Sequence, residues 1–143
     1  MFEIQRSYHD EIIAHAREDA PNECCGILAG NGDRIVHLYR TTNSEHSPYR
    51  YNVDGKQLKG ILDDLDAKGW DMLGIYHSHT ATEAYPSPTD VRLAMWWPDA
   101  LYFIVSLQDA ERPLLRAFHI VDGAVTEEPL RVANSTGSPQ VEA

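Results

Sequence analysis

The segment MLGIYHSHTATEAYPSPTD, residues 72–90, is the most informative part of the sequence, because it holds an apolar run, two histidines and the start of a helix. The run 72–76 is short and apolar, which is typical of a buried strand. Side chains alternate between the faces of a strand, so His77 and His79 are predicted on one face and Ser78 on the other. The pattern therefore predicts a strand that ends in two neighbouring imidazoles.

A helix start follows these histidines in the chain. Ser87 is predicted at the N-cap, Pro88 at the first helical position and Asp90 in the first turn. Ser87 and Asp90 also match a capping box, and that structural role is compatible with a functional one. Two histidines and one carboxylate leave the fourth position of zinc to water, which predicts a metallohydrolase. The alternative is a pair of core histidines that are hydrogen-bonded to backbone groups.

A further carboxylate, Glu23, lies in the stretch PNECCG, residues 21–26. Acidic residues after a first helix are usually solvated surface, and Glu18 and Asp19 are interpreted in that way. The apolar run 24–30 that follows Glu23 predicts a buried strand. Glu23 would then stand at a strand start, where its side chain can face into a cleft.

Together these residues fill every position of a known signature: Glu23, then His77-Ser78-His79, seven residues, Ser87, two residues and Asp90. The pattern resembles the JAMM signature of the MPN-domain (MPN+, Mov34/PAD-1-like) metallopeptidases, over about residues 4 to 131. The resemblance implies an α/β fold, a single MPN domain with a mostly antiparallel or mixed sheet flanked by helices in cytidine-deaminase-like layers. The domain is predicted over residues 1–132.

The resemblance also implies a role for each residue of the signature. His77, His79 and Asp90 would hold one Zn²⁺ per chain, and a water would complete the tetrahedron. Glu23 would act as general base and pass the proton to the leaving amine. Ser87 would donate a hydrogen bond to the oxyanion. The loop between the ligands supplies three candidates for the substrate-binding rim, which are Thr82, Glu83 and Tyr85.

A substrate class follows from two stretches, residues 75–87 and 121–129, which resemble an actinobacterial branch of the family. The resemblance implies hydrolysis of the C-terminal Gly–Cys amide bond of a CysO-like, ubiquitin-like sulfur-carrier protein, which releases cysteine in cysteine biosynthesis. The partner would present a flexible Gly-Gly(-Cys) tail, which strand addition can hold. One alternative is a JAMM isopeptidase that removes ubiquitin-like modifiers from lysine. The other is a non-catalytic MPN scaffold, although such members lack one or more ligands.

Composition limits the partners. The formal net charge of −10 and the absence of a basic run argue against nucleic acid. The amino terminus lacks the layout of a signal peptide, and no apolar stretch approaches the length of a membrane span, so a cytoplasmic protein is predicted.

Cys24 and Cys25 are adjacent and are interpreted as small, buried, reduced residues. Three aromatic residues could form a self-association patch in a homo-oligomer or pack in the core: Trp96, Trp97 and Tyr102.

The remaining pattern predicts mixed helices and strands. An apolar residue at every fourth position from Ile4 to Ala16 predicts a first helix that Pro21 ends. Residues 41–54 form an irregular stretch, which the resemblance places near the cleft and which is otherwise a mobile surface connection. The tail 133–143 has no apolar periodicity and is predicted to be disordered. The other predicted elements are a hairpin over 24–40, a second helix over 58–69, a helix over 88–96, and strands over 101–107, 114–121 and 125–129.

Overall fold

A computed structural model describes residues 1–134 and 141–142 of the chain. Its helices are α1 (Arg6–Asp19), α2 (Gly55–Lys68) and α3 (Pro88–Leu93), and a 3₁₀ turn, Ala94–Trp96, follows α3. Its strands are β1 (Phe2–Gln5), β2 (Cys25–Asn31), β3 (Arg34–Thr41), β4 (Asp71–His79), β5 (Leu101–Ser106), β6 (Leu114–Val121), β7 (Ala124–Glu128), β8 (Leu130–Ala133) and β9 (Val141–Glu142).

The main sheet of the described residues has the strand order β7-β6-β5-β4-β2-β3-β9. The strand that carries the histidines, β4, lies inside it, antiparallel to β2 and parallel to β5. The pairs β2–β3, β5–β6 and β6–β7 are antiparallel, and β1 and β8 form a separate parallel pair. The predicted fold class, a mixed sheet with flanking helices, is confirmed.

Helices cover both faces of this sheet. One face packs on α1 through Tyr8, Ile12 and Ala16, which bury against Leu28 and Phe103. The opposite face packs on α2 through Ile61 and Leu65, which contact Ile27 and Tyr39. A third cluster joins the sheet to the region of α3: Cys25, Ile75, Ala94, Tyr102, Ile104 and Phe118. Of the three aromatic residues proposed for self-association, Tyr102 belongs to this core, Trp97 is half-buried and Trp96 is 71% exposed.

Helix boundaries follow local signals at some ends only. α2 begins after Asp54, whose carboxylate accepts a hydrogen bond from Gln57 N, and ends before Gly69, which has a φ of 69°. The first helix begins at Arg6 rather than at Ile4, because residues 2–5 pair with β8. Among the described residues, no helix is both long enough and apolar enough to cross a bilayer.

The carboxyl-terminal tail differs from the prediction of disorder over residues 133–143. Ala133 is the last residue of β8, and Val141–Glu142 pair with Leu38 and Tyr39 of β3. The prediction is wrong at those residues, and residues 135–140 and 143 lie outside the described part. An edge strand offers unpaired backbone N–H and C=O groups to any extended segment, so this pairing needs no apolar periodicity in the tail.

Gly26 permits a close contact that ties α1 to β4. A Cβ atom at this position would lie 2.1 to 2.4 Å from two ring carbons and the hydroxyl oxygen of Tyr76, the residue paired with it across β2 and β4. The Tyr76 ring is fully buried, and its hydroxyl lies 2.6 Å from Nδ1 of His15 on α1. The absence of a side chain at Gly26 therefore makes room for the residue that precedes His77.

Gly26→Ala is expected to destabilise the protein by about 1–3 kcal/mol, because the Tyr76 ring must shift and strain its bond to His15. The free energy of unfolding from urea titrations measures this effect. Gly60→Ala is the matched control: a Cβ there meets nothing within 4 Å, and Gly60 lies inside α2. The control should stabilise by about 0.5–1 kcal/mol, since Ala is the better helix former. Equal effects of the two changes would contradict the packing argument.

Candidate metal centre

Two of the predicted ligands come from the end of β4. His77 and His79 are both buried, and their Nε2 atoms lie 3.2 Å apart on the same face of the strand. Ser78 points to the other face, where its hydroxyl oxygen accepts a hydrogen bond of 2.8 Å from Cys24 N. Ser78 N in turn donates to Cys24 O. The middle residue of the motif therefore fastens the chain just after Glu23 to the histidine strand.

The third predicted ligand comes from the first turn of α3. Ser87 Oγ accepts from Asp90 N at 3.1 Å, and Asp90 Oδ2 accepts from Ser87 N at 2.9 Å, which makes the predicted capping box. The same Oδ2 atom lies 3.1 Å from His77 Nε2 and 3.0 Å from His79 Nε2. The capping interaction thus orients the carboxylate towards the two imidazoles, so the capping role is compatible with the predicted role as a ligand.

The three groups form a triangle that suits a bound cation. Its sides measure 3.0 to 3.2 Å, slightly less than the about 3.3 to 3.6 Å that tetrahedral zinc with bonds of 2.0 to 2.2 Å requires. His79 Nδ1 lies 2.8 Å from the carbonyl oxygen of Glu83, which can only accept, so Nδ1 bears the proton. In the neutral ring the lone pair of Nε2 then faces the Asp90 carboxylate, an arrangement that a cation between them stabilises.

Protonation in the metal-free chain follows the same geometry. Burial lowers the pKa of His79, but the hydrogen bonds to Asp90 and to the Glu83 carbonyl, together with the charges of Asp90 and Glu23, raise it above its ordinary value. Burial alone would raise the pKa of Asp90, but the nearby charge of His77 and the hydrogen bonds hold it far below its usual range. Burial lowers the pKa of His77. The pKa shifts of His79 and Asp90 therefore both favour a positive charge beside the Asp90 carboxylate.

Glu23 lies beside this triangle, in the connection between α1 and β2. It is buried, and its carboxylate is within 4.8 Å of the imidazole nitrogens of His77 and His79. Its Oε1 atom is buried and has no hydrogen-bond partner among the described residues. Burial raises the pKa of Glu23 to about 8, and the charge of Asp90 adds to this while that of His79 opposes it. A buried carboxylate of this kind suits a proton acceptor beside a cation.

The free energy of unfolding of the metal-free protein should depend on pH because of Glu23. Its folded pKa of about 8 lies above the ordinary value of 4.5, so the folded state binds more protons and stability falls as the pH rises from 4.5 to 8. Glu23→Gln removes this dependence and should stabilise the chelator-treated protein at pH 8 by on the order of 2 kcal/mol, with little change near pH 4.5. Urea unfolding of both proteins at several pH values measures it, and parallel curves would contradict the assignment.

The rim candidates contribute differently. Glu83 orients His79 through its backbone carbonyl, while its side chain is exposed. Tyr85 is 44% exposed and packs edge-on against Phe118. Thr82 accepts a hydrogen bond of 2.5 Å from Ser106 through its backbone oxygen. The loop 80–86 is thereby fixed against the sheet beside the triangle.

A polar cleft of about 450 Å³ adjoins Glu23. Every residue that lines it is polar or charged: His15, Glu18, Asp19, Asn22, Glu23, Arg40, Thr41, Thr42, Asn43, His46 and Gln57. Glu23 belongs to both the cleft and the surroundings of the triangle. None of the three predicted ligands lines the cleft, so it adjoins the triangle only through Glu23.

Cys24 and Cys25 agree with their sequence interpretation. Both are fully buried and free. Burial raises the pKa of Cys25 to about 12 and that of Cys24 further, so neither thiol is ionised at neutral pH.

Sequence reasoning missed several side chains that surround the triangle. Asn43 and Tyr51 belong to the irregular stretch 41–54, where no periodic pattern singles out a residue. Tyr51 stacks on the His77 ring with centroids 4.2 Å apart. A cap signal marks Ser87 and Asp90, whereas no local signal marks Tyr51, whose partner lies 26 residues away.

The fold and the triangle define a candidate metal-dependent hydrolase. A family model described as prokaryotic homologs of the JAB domain matches residues 5–121. The CysO-cysteine peptidase of Mycobacterium tuberculosis is 52% identical over 134 residues, which cover 90% of this chain and 89% of the relative. The probable TtuB-protein conjugate cleaving protease of Thermus thermophilus is 35% identical over 96 residues, 65% of this chain and 63% of the relative.

A solved structure agrees with this assignment. The solution structure of a protein from Desulfitobacterium hafniense superposes with a TM-score of 0.83 at 35% identity and covers 94% of both chains. The chain belongs to the prokaryotic homologs of the JAB domain. The predicted family and the predicted enzyme class, a metallopeptidase, are therefore confirmed.

Proposed function

We propose that this chain is a zinc-dependent peptidase that hydrolyses the C-terminal Gly–Cys amide bond of a CysO-like, ubiquitin-like sulfur-carrier protein and releases cysteine. The observation that carries the proposal is the 52% identity to a CysO-cysteine peptidase over nine tenths of the chain. The convergence of His77, His79 and Asp90 within 3.2 Å supports it independently. The reaction would take place in the cytoplasm, where buried, unpaired cysteines are ordinary.

His77, His79 and Asp90 would hold one zinc ion through Nε2, Nε2 and Oδ2. Bound zinc supplies Lewis acidity and makes a coordinated water acidic near neutral pH. The chain fixes two of these ligands in advance. The Glu83 carbonyl sets the tautomer of His79, and the Ser87 cap sets the direction of the Asp90 carboxylate. Because these two side chains are already oriented, metal binding would cost less conformational entropy.

Glu23 would take a proton from the attacking water and deliver it to the leaving amine of cysteine. Its burial favours the neutral form and so strengthens the carboxylate as a base. A cation in the triangle lowers that pKa again, because positive charge favours the carboxylate. Glu23 lines the polar cleft, which would give the leaving cysteine a polar space beside the group that delivers the proton.

Ser87 would stabilise the oxyanion of the scissile glycine. Its oxygen accepts the hydrogen bond from Asp90 N, which leaves its own O–H free to donate. Oxyanion donors in other hydrolases contribute about 2.7–4 kcal/mol to the barrier. The Gly-Gly tail would approach along the rim formed by Thr82, Glu83 and Tyr85, where glycine avoids the clash of a larger side chain.

A second candidate function uses the same residues on another bond. The Thermus thermophilus relative is named for cleaving protein conjugates, which favours an isopeptidase that frees a ubiquitin-like modifier from lysine. The two functions differ in the leaving group, a free cysteine or a lysine side chain of a folded protein. The identity of 52% against 35% places the cysteine-releasing function first.

Mass spectrometry of a sulfur-carrier protein tests the proposal. The carrier is prepared with and without an added C-terminal cysteine and incubated with the zinc-loaded chain, with and without a chelator. We expect chelator-sensitive loss of one cysteine residue, and no change in the carrier that ends in Gly-Gly. An intact carrier in the presence of zinc-loaded protein would reject the cysteine-releasing function. Cleavage of a lysine-linked carrier under the same conditions would then support the second candidate.

A further inference from the structure

Asn43 uses its whole hydrogen-bonding capacity inside the protein. A primary amide has two N–H donors and one oxygen with two acceptor sites. Nδ2 of Asn43 donates to Glu23 O and to Arg50 O, and Oδ1 accepts from Glu45 N and Asn52 N, each at 3.0 Å. The side chain is only 5% exposed. It therefore joins the two arms of the loop 43–52 to each other and both arms to Glu23.

Glu23 depends on this loop for both of its backbone hydrogen bonds. Its N–H donates to Ser47 O at 2.9 Å, and its carbonyl accepts from Asn43 at 3.0 Å. Glu23 lies between α1 and β2, so neither a helix nor the sheet supplies these partners. Its Oε1 atom has no partner in the described part of the chain. The backbone contacts with the loop, rather than contacts of the carboxylate, thus set the position of Glu23.

The same loop holds the ring of His77. Metal-binding histidines are usually oriented by a hydrogen bond from their second ring nitrogen. His79 follows this rule through Glu83 O, but His77 Nδ1 is buried without a partner within the residues described. Tyr51 covers that ring instead, with centroids 4.2 Å apart and an angle of 20° between the planes. Tyr51 is itself 5% exposed, so its position is fixed by the core.

We propose that the loop 43–52 positions the metal centre, with Asn43 and Tyr51 as positioning residues for Glu23 and His77. One end of the loop contacts Glu23 through Asn43, and the other end contacts His77 through Tyr51. The Asn43 amide links the two ends, because it is hydrogen-bonded to Arg50 and Asn52, the neighbours of Tyr51. The part that concerns Glu23 rests on the proposed function, since its role as base belongs to that proposal. The part that concerns His77 requires only that the triangle binds a metal.

Zinc affinity tests the role of Tyr51 without reference to activity. Tyr51→Leu removes the stacked ring, and Tyr51→Phe keeps it. Competition with a chromophoric chelator should show the zinc dissociation constant raised by about 10–100-fold in the leucine variant, and within about twofold of wild type in the phenylalanine variant. Equal zinc affinity of the leucine and phenylalanine variants would overturn the assignment.

Steady-state kinetics with the cysteine-tagged carrier test Asn43. Asn43→Ala should lower kcat by about 10–100-fold and change KM by less than about threefold at saturating zinc, because Glu23 loses the hydrogen bond to its carbonyl and the loop loses its ties to Arg50 and Asn52. Ser44→Ala is the matched control. Ser44 Oγ donates to Asn52 O in the same loop and does not contact Glu23, so this variant should keep the wild-type kcat. A wild-type kcat in the Asn43 variant, or an equal loss in the control, would overturn the proposal.

Misfolding of a variant, or failure of the proposed function, can be distinguished from failure of the positioning role. Circular dichroism of each variant reports whether it folds, and if Asn43→Ala does not, the zinc affinities of the Tyr51 variants decide. If the wild-type protein releases no cysteine from the carrier, the proposed function fails. The comparison of zinc affinities then still supports or rejects the positioning of His77 by the loop.

Discussion

Glu23→Gln is expected to lower kcat by about 10²–10⁴-fold while the protein keeps one equivalent of zinc. Glutamine has nearly the shape of glutamate, and the backbone bonds from residue 23 to Ser47 and Asn43 are unaffected by the change. An amide cannot take up a proton from water at neutral pH, so the step assigned to the carboxylate is lost. Cysteine release and metal content, measured on the same preparation, check both parts of the prediction.

Glu111→Gln is the control for this experiment. Glu111 is exposed and lies in the turn before β6, so its change should leave kcat within about twofold of wild type. Turnover at the wild-type rate by Glu23→Gln would show that another group acts as the base. Loss of zinc from the same variant would instead make Glu23 a ligand, since its carboxylate lies within 4.8 Å of both histidine nitrogens.

Asp90→Asn is expected to weaken zinc binding by more than about 100-fold, because even residues that only support a ligand typically contribute 10–100-fold. The asparagine oxygen can still accept from Ser87 N, so the start of α3 should remain capped. Asp90→Ala removes the cap as well and should cost a further ~1 kcal/mol in the unfolding free energy of the metal-free protein. Chelator competition and urea titrations separate the two contributions.

Asp71→Asn serves as the control for these variants. Asp71 is exposed at the start of β4, the strand that ends in the two histidines, and it should change neither zinc affinity nor stability measurably. If Asp90→Asn binds zinc as wild type does, the carboxylate serves only as a helix cap. The capping box alone would then explain Ser87 and Asp90.

Most of the fold follows from signals that are local in the chain. The apolar run before His77, the cap at Ser87 and the stop at Gly69 each depend on residues a few positions apart, and each element forms where its signal lies. The first helix shows the limit of such signals. Ile4 fits its apolar spacing, but residues 2–5 pair with β8, more than 120 residues further along. Tertiary pairing overrode the periodicity there, because backbone hydrogen bonds compete on equal terms with a single helical turn.

Local sequence rules account for the arrangement of the three predicted ligands on β4 and α3. His77 and His79 share a face because a strand alternates, and Asp90 turns towards Ser87 because a capping box requires it. Both relations hold in almost any protein that forms these two elements. The family signature added Glu23, which no local rule connects with residues more than 50 positions away.

Contacts between segments distant in the chain hold Glu23 and His77, and no local sequence rule predicts them. Asn43 bonds to Glu23 across 20 residues, and Tyr51 stacks on His77 across 26, from a loop with no periodic pattern. Such contacts arise when the sheet brings β2, β3 and β4 together and leaves buried polar groups that need partners. The tail shows the same principle, since Val141–Glu142 join β3 through backbone groups that every sequence possesses. Local side-chain patterns specify the helices and strands. Contacts between residues distant in the chain depend instead on which buried polar groups still need a hydrogen-bond partner once the fold has assembled.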